Sequence, residues 1–338
     1  MKRYGNLYDK IYDMDNLKLA HKYAKKGKSY YKDVKMVNSN EEYYLRQIQD
    51  MMINKTYKTS QYEVFKHWDK VKEREIYKLP YYPDRIVQWA IMLVIEPILV
   101  KKLVMDTYSA IPNKGIHMGL NRVRKALRDT DNTKYCLKFD IHHYYPSINH
   151  PILKDTYRRI FKDKDLLWII DEIIDSVEMS EGTGIPIGNY LSQWSANIYL
   201  SNFDHCLKEV KHCKYAFRYM DDVVILSNSK DFLHELLTDI KEYLGKYKLE
   251  LKHNYQIFPV DKRGIDFLGY RMFHGYTLLR KSTCKNMTKK LRKISKKRIV
   301  TYSDNCTIQS YLGWLKWCDS YRLKQKYMKG LVSDDSTM

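Results

Sequence analysis

The apolar positions of this chain change period several times, and the changes mark out its elements. Asn40–Met52 carries Tyr44, Ile48 and Met51 or Met52 at helical spacing, with Asn38 and Ser39 placed as caps. Ile76–Leu79 reads as a short strand stopped by Pro80. Pro83 and Asp84 then start a helix through Val94 that is apolar almost all round, as buried helices are. Tyr135–Asp140 alternates as a strand and ends at a carboxylate. Leu166–Val177 predicts a helix, Gly182–Pro186 a loop, and Asn189 to Lys208 a further helix. Phe217–Leu226 sets two strand-prone runs on either side of Asp221 and Asp222, a β-hairpin with the acids at its tip. Asp231–Tyr247 is amphipathic, Gly264–Phe273 returns to strand, and Lys285–Arg298 holds Met287, Leu291 and Ile294 at helical spacing. This order predicts an α+β fold, with helices on one face of a sheet and a basic helical lobe after it.

Charge adds a partner to this picture. Lys and Arg number 60 against 40 acids over 338 residues, a net +20. That excess suits a polyanion, because Lys and Arg displace counterions from phosphates; a merely solvated basic surface is the alternative. Tyr occurs 31 times and Phe 9. Such rings stack on bases or line a wet groove, or are simply half-buried. The six cysteines form no C-x-x-C pair, so a zinc site is not expected and free thiols in a reducing, cytoplasmic setting are. The first residues show no apolar leader. Ile86–Val100 is broken by Gln88, Glu96 and Pro97 and is too short to span a bilayer, so no membrane role is expected.

The acids carry the chemistry. Adjacent like charges between apolar strands are costly unless a cation neutralises them. Asp140 ends its own strand in Lys138-Phe139-Asp140-Ile141. Should the two strand ends lie side by side, Asp140, Asp221 and Asp222 converge with the Ile141 backbone carbonyl. Hard oxygen donors at that density suit two Mg²⁺ ions, which can activate a 3′-hydroxyl and stabilise a leaving pyrophosphate.

Tyr219-Met220-Asp221-Asp222 together with the Asp140 motif resembles the reverse transcriptases, over roughly residues 70–320. The resemblance implies a right-hand fold of fingers, palm with antiparallel sheet and helical thumb, and Mg²⁺-dependent synthesis of DNA on an RNA template from dNTPs. The implied boundaries are an N-terminal basic extension over 1–70, fingers over 71–134, palm over 135–273 with finger-side helices between about 150 and 185, and thumb and tail over 274–338. Where RNA polymerases of similar fold carry an acid that reads a ribose 2′-hydroxyl, this chain has Tyr145. A ring there is expected to exclude ribonucleotides, unless it is a core tyrosine.

Other motifs extend the resemblance. Arg74-Glu75-Ile76-Tyr77-Lys78-Leu79-Pro80 is similar to a bacterial fingers motif, which makes Arg74 and Lys78 candidates to hold a triphosphate, or residues that only solvate a strand. Gly184-Ile185-Pro186-Ile187-Gly188-Asn189-Tyr190-Leu191-Ser192-Gln193 has Ile187 where most of the family has Gln and Gln193 where most has Pro. That pattern resembles the enzymes of diversity-generating retroelements, which misincorporate opposite template adenines. Ile187 can neither donate nor accept a hydrogen bond, so checking of the nascent pair there would be looser, with simple packing the alternative; the resemblance makes Ile187, Gly188 and Gln193 candidates for dNTP binding. Leu268, Gly269 and Tyr270 fall in a primer-grip motif. Thr307–Trp317 resembles the thumb helix. Lys289, Lys290, Arg292, Lys293, Lys296 and Lys297 are placed to follow a nucleic-acid backbone. No RNase H, endonuclease or maturase segment is expected. The group resemblance implies a template RNA, an RNA/DNA duplex and a small basic helical accessory protein as partners, in a bacterial or phage-encoded cassette. Another bacterial reverse transcriptase (group II intron-like or phage-defence), or a non-catalytic RNA-binding scaffold, are the competing readings. Against the scaffold stand three buried acids with no cation of their own.

Overall fold

The computed structural model describes residues 3–69 and 72–331. The chain divides into two compact units. One comprises Met1–Met105, Ile141–Val210 and Asp239–Leu251; the other comprises Asp106–Asp140, Lys211–Thr238 and Lys252–Met338.

The first unit opens with helices Tyr8–Tyr12, Met14–Ala24, Lys32–Ser39 and Glu41–Ile53. Their short apolar stripes, such as Val34 with Val37 and Leu45 with Ile48 and Met52, are buried. Polar surroundings hide such stripes in the composition. The last of these helices is capped by Asn40, whose side chain accepts from the Tyr43 N–H, and not by Asn38 or Ser39. Asn38 is already spent on His21 and Lys25, each at 3.0 Å. The apolar helix runs Ile86–Val100, entered through a wide turn over Tyr81–Arg85 in which Tyr82 is extended. It therefore starts after Pro83 and Asp84 and continues beyond Val94. The strand expected at Ile76–Leu79 is the end of β2 (Lys72–Lys78), paired antiparallel with β1 (Glu63–Asp69). The single helix expected from Asn189 to Lys208 is broken into Tyr190–Tyr199, Ser201–His205 and a wide turn Cys206–Val210. The Ser201 hydroxyl donates back to the Ile198 carbonyl at 2.7 Å, the local competition that interrupts helices at serine. Lys164–Asp175 replaces the expected Leu166–Val177, capped by Asp163.

The second unit carries the four-stranded and three-stranded sheets. β3 (Tyr135–Asp140), β4 (Tyr215–Tyr219), β5 (Asp222–Ser227) and β6 (Gln256–Pro259) form an antiparallel sheet in the order β4-β5-β3-β6. Gly264–Phe273 is not one strand. It folds into β7 (Ile265–Phe267) and β8 (Tyr270–Met272), which continue to β9 (Thr277–Leu279). Leu268 and Gly269 both take left-handed φ, 55° and 85°, and a two-residue hairpin turn of that kind reverses the chain. The basic helix is Lys281–Ile294, and it buries Met287, Leu291 and Ile294 as its spacing predicts. These join one core with Ile265, Phe267, Tyr270, Met272, Leu279, Ile308 and Leu315. The last two lie on helix Tyr302–Leu315, which begins at a capping box between Thr301 and Asp304 and occupies the place of the expected Thr307–Trp317. Among the described residues no helix is long and apolar enough to cross a membrane.

Candidate active site

The hairpin places its acids by register. Tyr219 pairs with Asp222, so only Met220 and Asp221 make the turn, and Met220 adopts a left-handed φ of 56°. Buried Arg218 secures the turn by donating from Nη1 to the Met220 carbonyl at 3.1 Å. The Arg218 backbone N–H donates to Asp106 at 2.9 Å, and its carbonyl accepts from Tyr108 at 3.2 Å. On the next ladder, Asp140 at the end of β3 faces Asp222 at the start of β5. Directly opposed residues point to one face, so two carboxylates share a face and the third is one residue away.

The acids are not without cations. Lys138 lies two residues before Asp140, on the same face by the strand period. Its Nζ is 3.1 Å from Asp222 Oδ1 and donates to Oδ2 at 3.2 Å. It also donates to the Asp266 carbonyl and lies 5.9 Å from the centre of the Phe267 ring. Lys252 Nζ stands 3.8 Å from Asp140 Oδ2 and 3.9 Å from Asp221 Oδ2. The expectation of three buried acids without cations is thus corrected. Asp140 and Asp221 are partly open to solvent, and two lysines supply positive charge. The sequence signal for Lys138 was its i−2 place on the strand, which the motif reading passed over.

Burial pushes the Asp222 carboxyl up to about 7, with the charges of Asp140 and Asp221 adding and Lys138 opposing. Among the described residues no three His, Cys, Asp or Glu side chains converge tightly enough to hold a metal ion by themselves. The donors nevertheless suit a hard divalent cation. They are carboxylate oxygens, Asp222 Oδ1 is buried with no hydrogen bond, and the two ammonium groups stand where positive charge is wanted. Ile141, next in the chain, is buried and forms an antiparallel bridge with Leu251.

Several of the expected nucleotide contacts meet within the first unit. Lys78, Gly188 and Gln193 line one cavity of about 290 Å³, walled by Phe65, Trp89 and Tyr190. The Ile187 carbonyl accepts from the Tyr77 N–H at 3.4 Å, which ties this loop to β2. Gln88 and Arg85 also line the cavity, and sequence reasoning missed both in this role. Gln88 Oε1 accepts from the Tyr190 N–H at 3.0 Å, while Gln88 Nε2 and Arg85 Nε are buried without partners. Lys78 itself is exposed and paired with Glu63 at 2.7 Å. Arg74 stands opposite His67 in the hairpin, and its side chain lies outside the described residues. Tyr145 sits in the short helix Tyr144–Ser147, half-buried, and its carbonyl accepts from the Ile185 N–H at 3.1 Å.

In the second unit, Leu268 and Gly269 form the β7–β8 turn. Tyr270 is fully buried and donates its hydroxyl to the Trp314 carbonyl at 3.1 Å, so its side chain is spent inside the fold. Lys289, Arg292, Lys293 and Lys296 line a shallow groove on the basic helix and just beyond its end, and Lys290 is exposed. Lys297 is committed to Asp304, with both carboxylate oxygens at 2.7 Å.

Comparison with known proteins fits this arrangement. The family described as "Reverse transcriptase (RNA-dependent DNA polymerase)" matches residues 66–272, which include β3, the acidic hairpin and β7. "Protein YkfC" of Escherichia coli strain K12 is 24% identical over 238 residues, covering 57% of this chain and 62% of that protein. The match therefore spans about three fifths of the relative's length. Among solved structures, telomerase from Candida albicans with a TWJ fragment of telomeric RNA aligns with a TM-score of 0.52 at 11% identity. That alignment covers 85% of this chain and 61% of the telomerase. Apo telomerase from Candida tropicalis aligns at 0.51 and 15% identity, over 70% of this chain and 52% of its own. At such identity the likeness speaks for fold alone, the α+β right-hand polymerase class.

Proposed function

The chain belongs to the reverse transcriptase (RNA-dependent DNA polymerase) family, and from that premise we propose that it copies a template RNA into cDNA. The observation that carries this reading is the register that sets Asp140 opposite Asp222, with Asp221 beside them, inside the segment the family matches. Asp140, Asp221, Asp222 and the Ile141 carbonyl are the donors that would hold two Mg²⁺ ions. Once bound, these would supply activation of the primer 3′-hydroxyl and charge for the leaving pyrophosphate. The chain's own residues orient that chemistry. The Arg218-braced turn fixes Asp221, and Lys138 steadies Asp222. Tyr145 excludes a 2′-hydroxyl, so dNTPs are the substrates. The cavity around Lys78, Gly188 and Gln193 takes nucleotide on its aromatic walls and unpaired donors. Arg74 and Lys78 meet triphosphate, Leu268 and Gly269 guide the primer through their backbone, and the basic groove follows the duplex. In this assignment residues 71–134 are fingers, 135–273 palm and 274–338 thumb, with 1–70 an N-terminal extension.

The subtype we infer is the error-prone enzyme of a diversity-generating retroelement. It acts in the cytoplasm of a bacterium, with a small basic helical accessory protein. Ile187 in place of a hydrogen-bonding residue supports it. The test is primer extension on an RNA template with Mg²⁺ and dNTPs, with and without the proteins encoded beside it, followed by cDNA sequencing. Errors concentrated opposite template adenines support the subtype; evenly spread errors move the enzyme to another bacterial group.

A further inference from the structure

The aromatic wall of the first unit's cavity does not stop at its rim. Trp89 and Tyr190 line the cavity with ring centres 4.5 Å apart. Trp89 is also stacked on Tyr23, with ring centres 5.5 Å apart and 19° between planes. Tyr23 belongs to helix Met14–Ala24 and is 44% exposed. Two hydrogen bonds hold the elements that carry these rings. Asn16, on the helix of Tyr23, donates from Nδ2 to the Ala90 carbonyl beside Trp89 at 3.1 Å. The Tyr190 hydroxyl donates to Glu96, on the helix of Trp89, at 2.6 Å. The surface around Tyr23 is apolar and cationic. Leu19, four residues earlier and so on the same side of the helix, is exposed too. Lys22 and Lys26 are exposed next to them, and their ammonium groups make no ion pair or hydrogen bond with any described residue. Lys26 closes the turn after the helix, its backbone N–H on the Tyr23 carbonyl at 3.2 Å.

We propose, resting on the reading of that cavity as the nucleotide site, that Tyr23 is a stacking platform for the single-stranded template RNA that leads into it, with Lys22 and Lys26 on the phosphates. The chemistry selects this occupant. An exposed ring suits an unstacked base, whereas the bases of a duplex are already stacked on one another. Cations with no acid of their own suit a polyanion. At a nucleotide site the unpaired strand is the uncopied template, because the primer ends there. Trp89 joins the platform to the cavity, since its ring meets both Tyr23 and Tyr190. Every base has a π-face, so the platform holds the template without reading its sequence. Helix Met14–Ala24 of the N-terminal extension thereby gains a part in template binding.

The test is the affinity of the full chain for a DNA primer annealed to an RNA template, read by fluorescence anisotropy. One substrate is blunt and the other carries a 5′ template overhang of about ten nucleotides. Tyr23→Ala is expected to weaken binding of the overhang substrate about fivefold or more and to leave the blunt one within about twofold of wild type. Tyr23→Phe keeps the ring and should bind both as wild type does. Tyr23→Leu keeps bulk without a π-face and should lose what Tyr23→Ala loses. The double variant Lys22→Gln/Lys26→Gln should lower the salt slope for the overhang substrate by about 1.4. Unchanged overhang binding by Tyr23→Ala overturns the proposal. So does an equal loss on both substrates, which marks a structural role, or a deficit that appears only when a neighbouring protein is added, which marks a protein contact. Should Tyr23→Ala not fold, Tyr23→Leu against Tyr23→Phe decides on the same two substrates. Primer extension by the wild-type chain is run in parallel. If it extends primers while Tyr23→Ala binds the overhang as wild type does, the platform alone fails. If it neither extends primers nor favours the overhang substrate, the nucleotide reading of the cavity fails with it.

Discussion

Replacing Gly269 by alanine puts a methyl group where the fold has no room. An ideal Cβ would lie 2.6 Å from Trp314 Cζ3 and 2.9 Å from its Cη2. The indole cannot swing aside cheaply. Its ring packs 5.4 Å from Tyr270, and the Trp314 carbonyl accepts the Tyr270 hydroxyl. The backbone adds a second cost, because φ is +85°. A left-handed residue other than glycine costs roughly 1 kcal/mol, and overpacking of a well-filled site costs about 1–3 kcal/mol. Gly269→Ala should therefore destabilise by about 2–4 kcal/mol, a large share of a typical stability of about 5–15 kcal/mol. The molecule carries its own control. Gly275, in the β8–β9 turn, has the same φ of +85° and nothing within 4 Å of its Cβ position. Gly275→Ala should show only the backbone cost, about 1 kcal/mol. Urea unfolding of both variants, compared at equal slope, separates the two terms. Equal losses for the two variants would refute the packing argument. The same samples should show weaker primer use by Gly269→Ala than by Gly275→Ala.

Further outcomes are expected. Thr301→Ala removes the capping box of helix Tyr302–Leu315 and should cost about 1 kcal/mol by the same unfolding assay. Hydrogen bonds from Lys297 and Thr301 hold the Asp304 carboxyl down to about 2, against 3.8 ordinarily. Its stabilisation is therefore full above the ordinary value and is lost as pH falls through the folded one, so Asp304→Asn should flatten the acid limb of a stability–pH curve between about 4 and 2. Tyr145→Ala should admit ribonucleotides, measured as incorporation from mixed rNTP and dNTP pools, and unchanged selectivity would remove Tyr145 as the gate. Ile187→Gln should lower errors opposite template adenines in sequenced cDNA, and an unaltered error spectrum would show that Ile187 only packs.

What was legible in the sequence follows from how strongly each segment repeats its pattern. Phe217–Leu226 sets two strand-prone apolar runs around its acids and Tyr135–Asp140 alternates, and the structure has strands at both, with Asp140 paired to Asp222. Met287, Leu291 and Ile294 mark their helix even inside a run of lysines, because one stripe suffices to bury it. The helix read over Asn40–Met52 is there as Glu41–Ile53, whereas the three before it were missed because their apolar stripes are only two or three residues long. Strand β1 was missed because Val64, Phe65 and Trp68 keep no period and stay exposed. The Leu268-Gly269 reversal needed two left-handed residues in succession, which Leu does not announce. At the site, the carboxylates were visible as a motif. Their lysines were not, since Lys138 matters only through the pairing that brings β3, β5 and β7 to one place, as do the unpaired donors of Gln88 and Arg85 in their cavity.

The most direct measurement is primer extension on an RNA template with Mg²⁺ and dNTPs, comparing the wild-type chain with an Asp221→Ala/Asp222→Ala variant of equal stability. DNA product from the wild type, copied from the template and lost in the variant, is what these carboxylates predict. Product undiminished in the variant, or none from the wild type even with its native RNA and neighbouring proteins supplied, would contradict it.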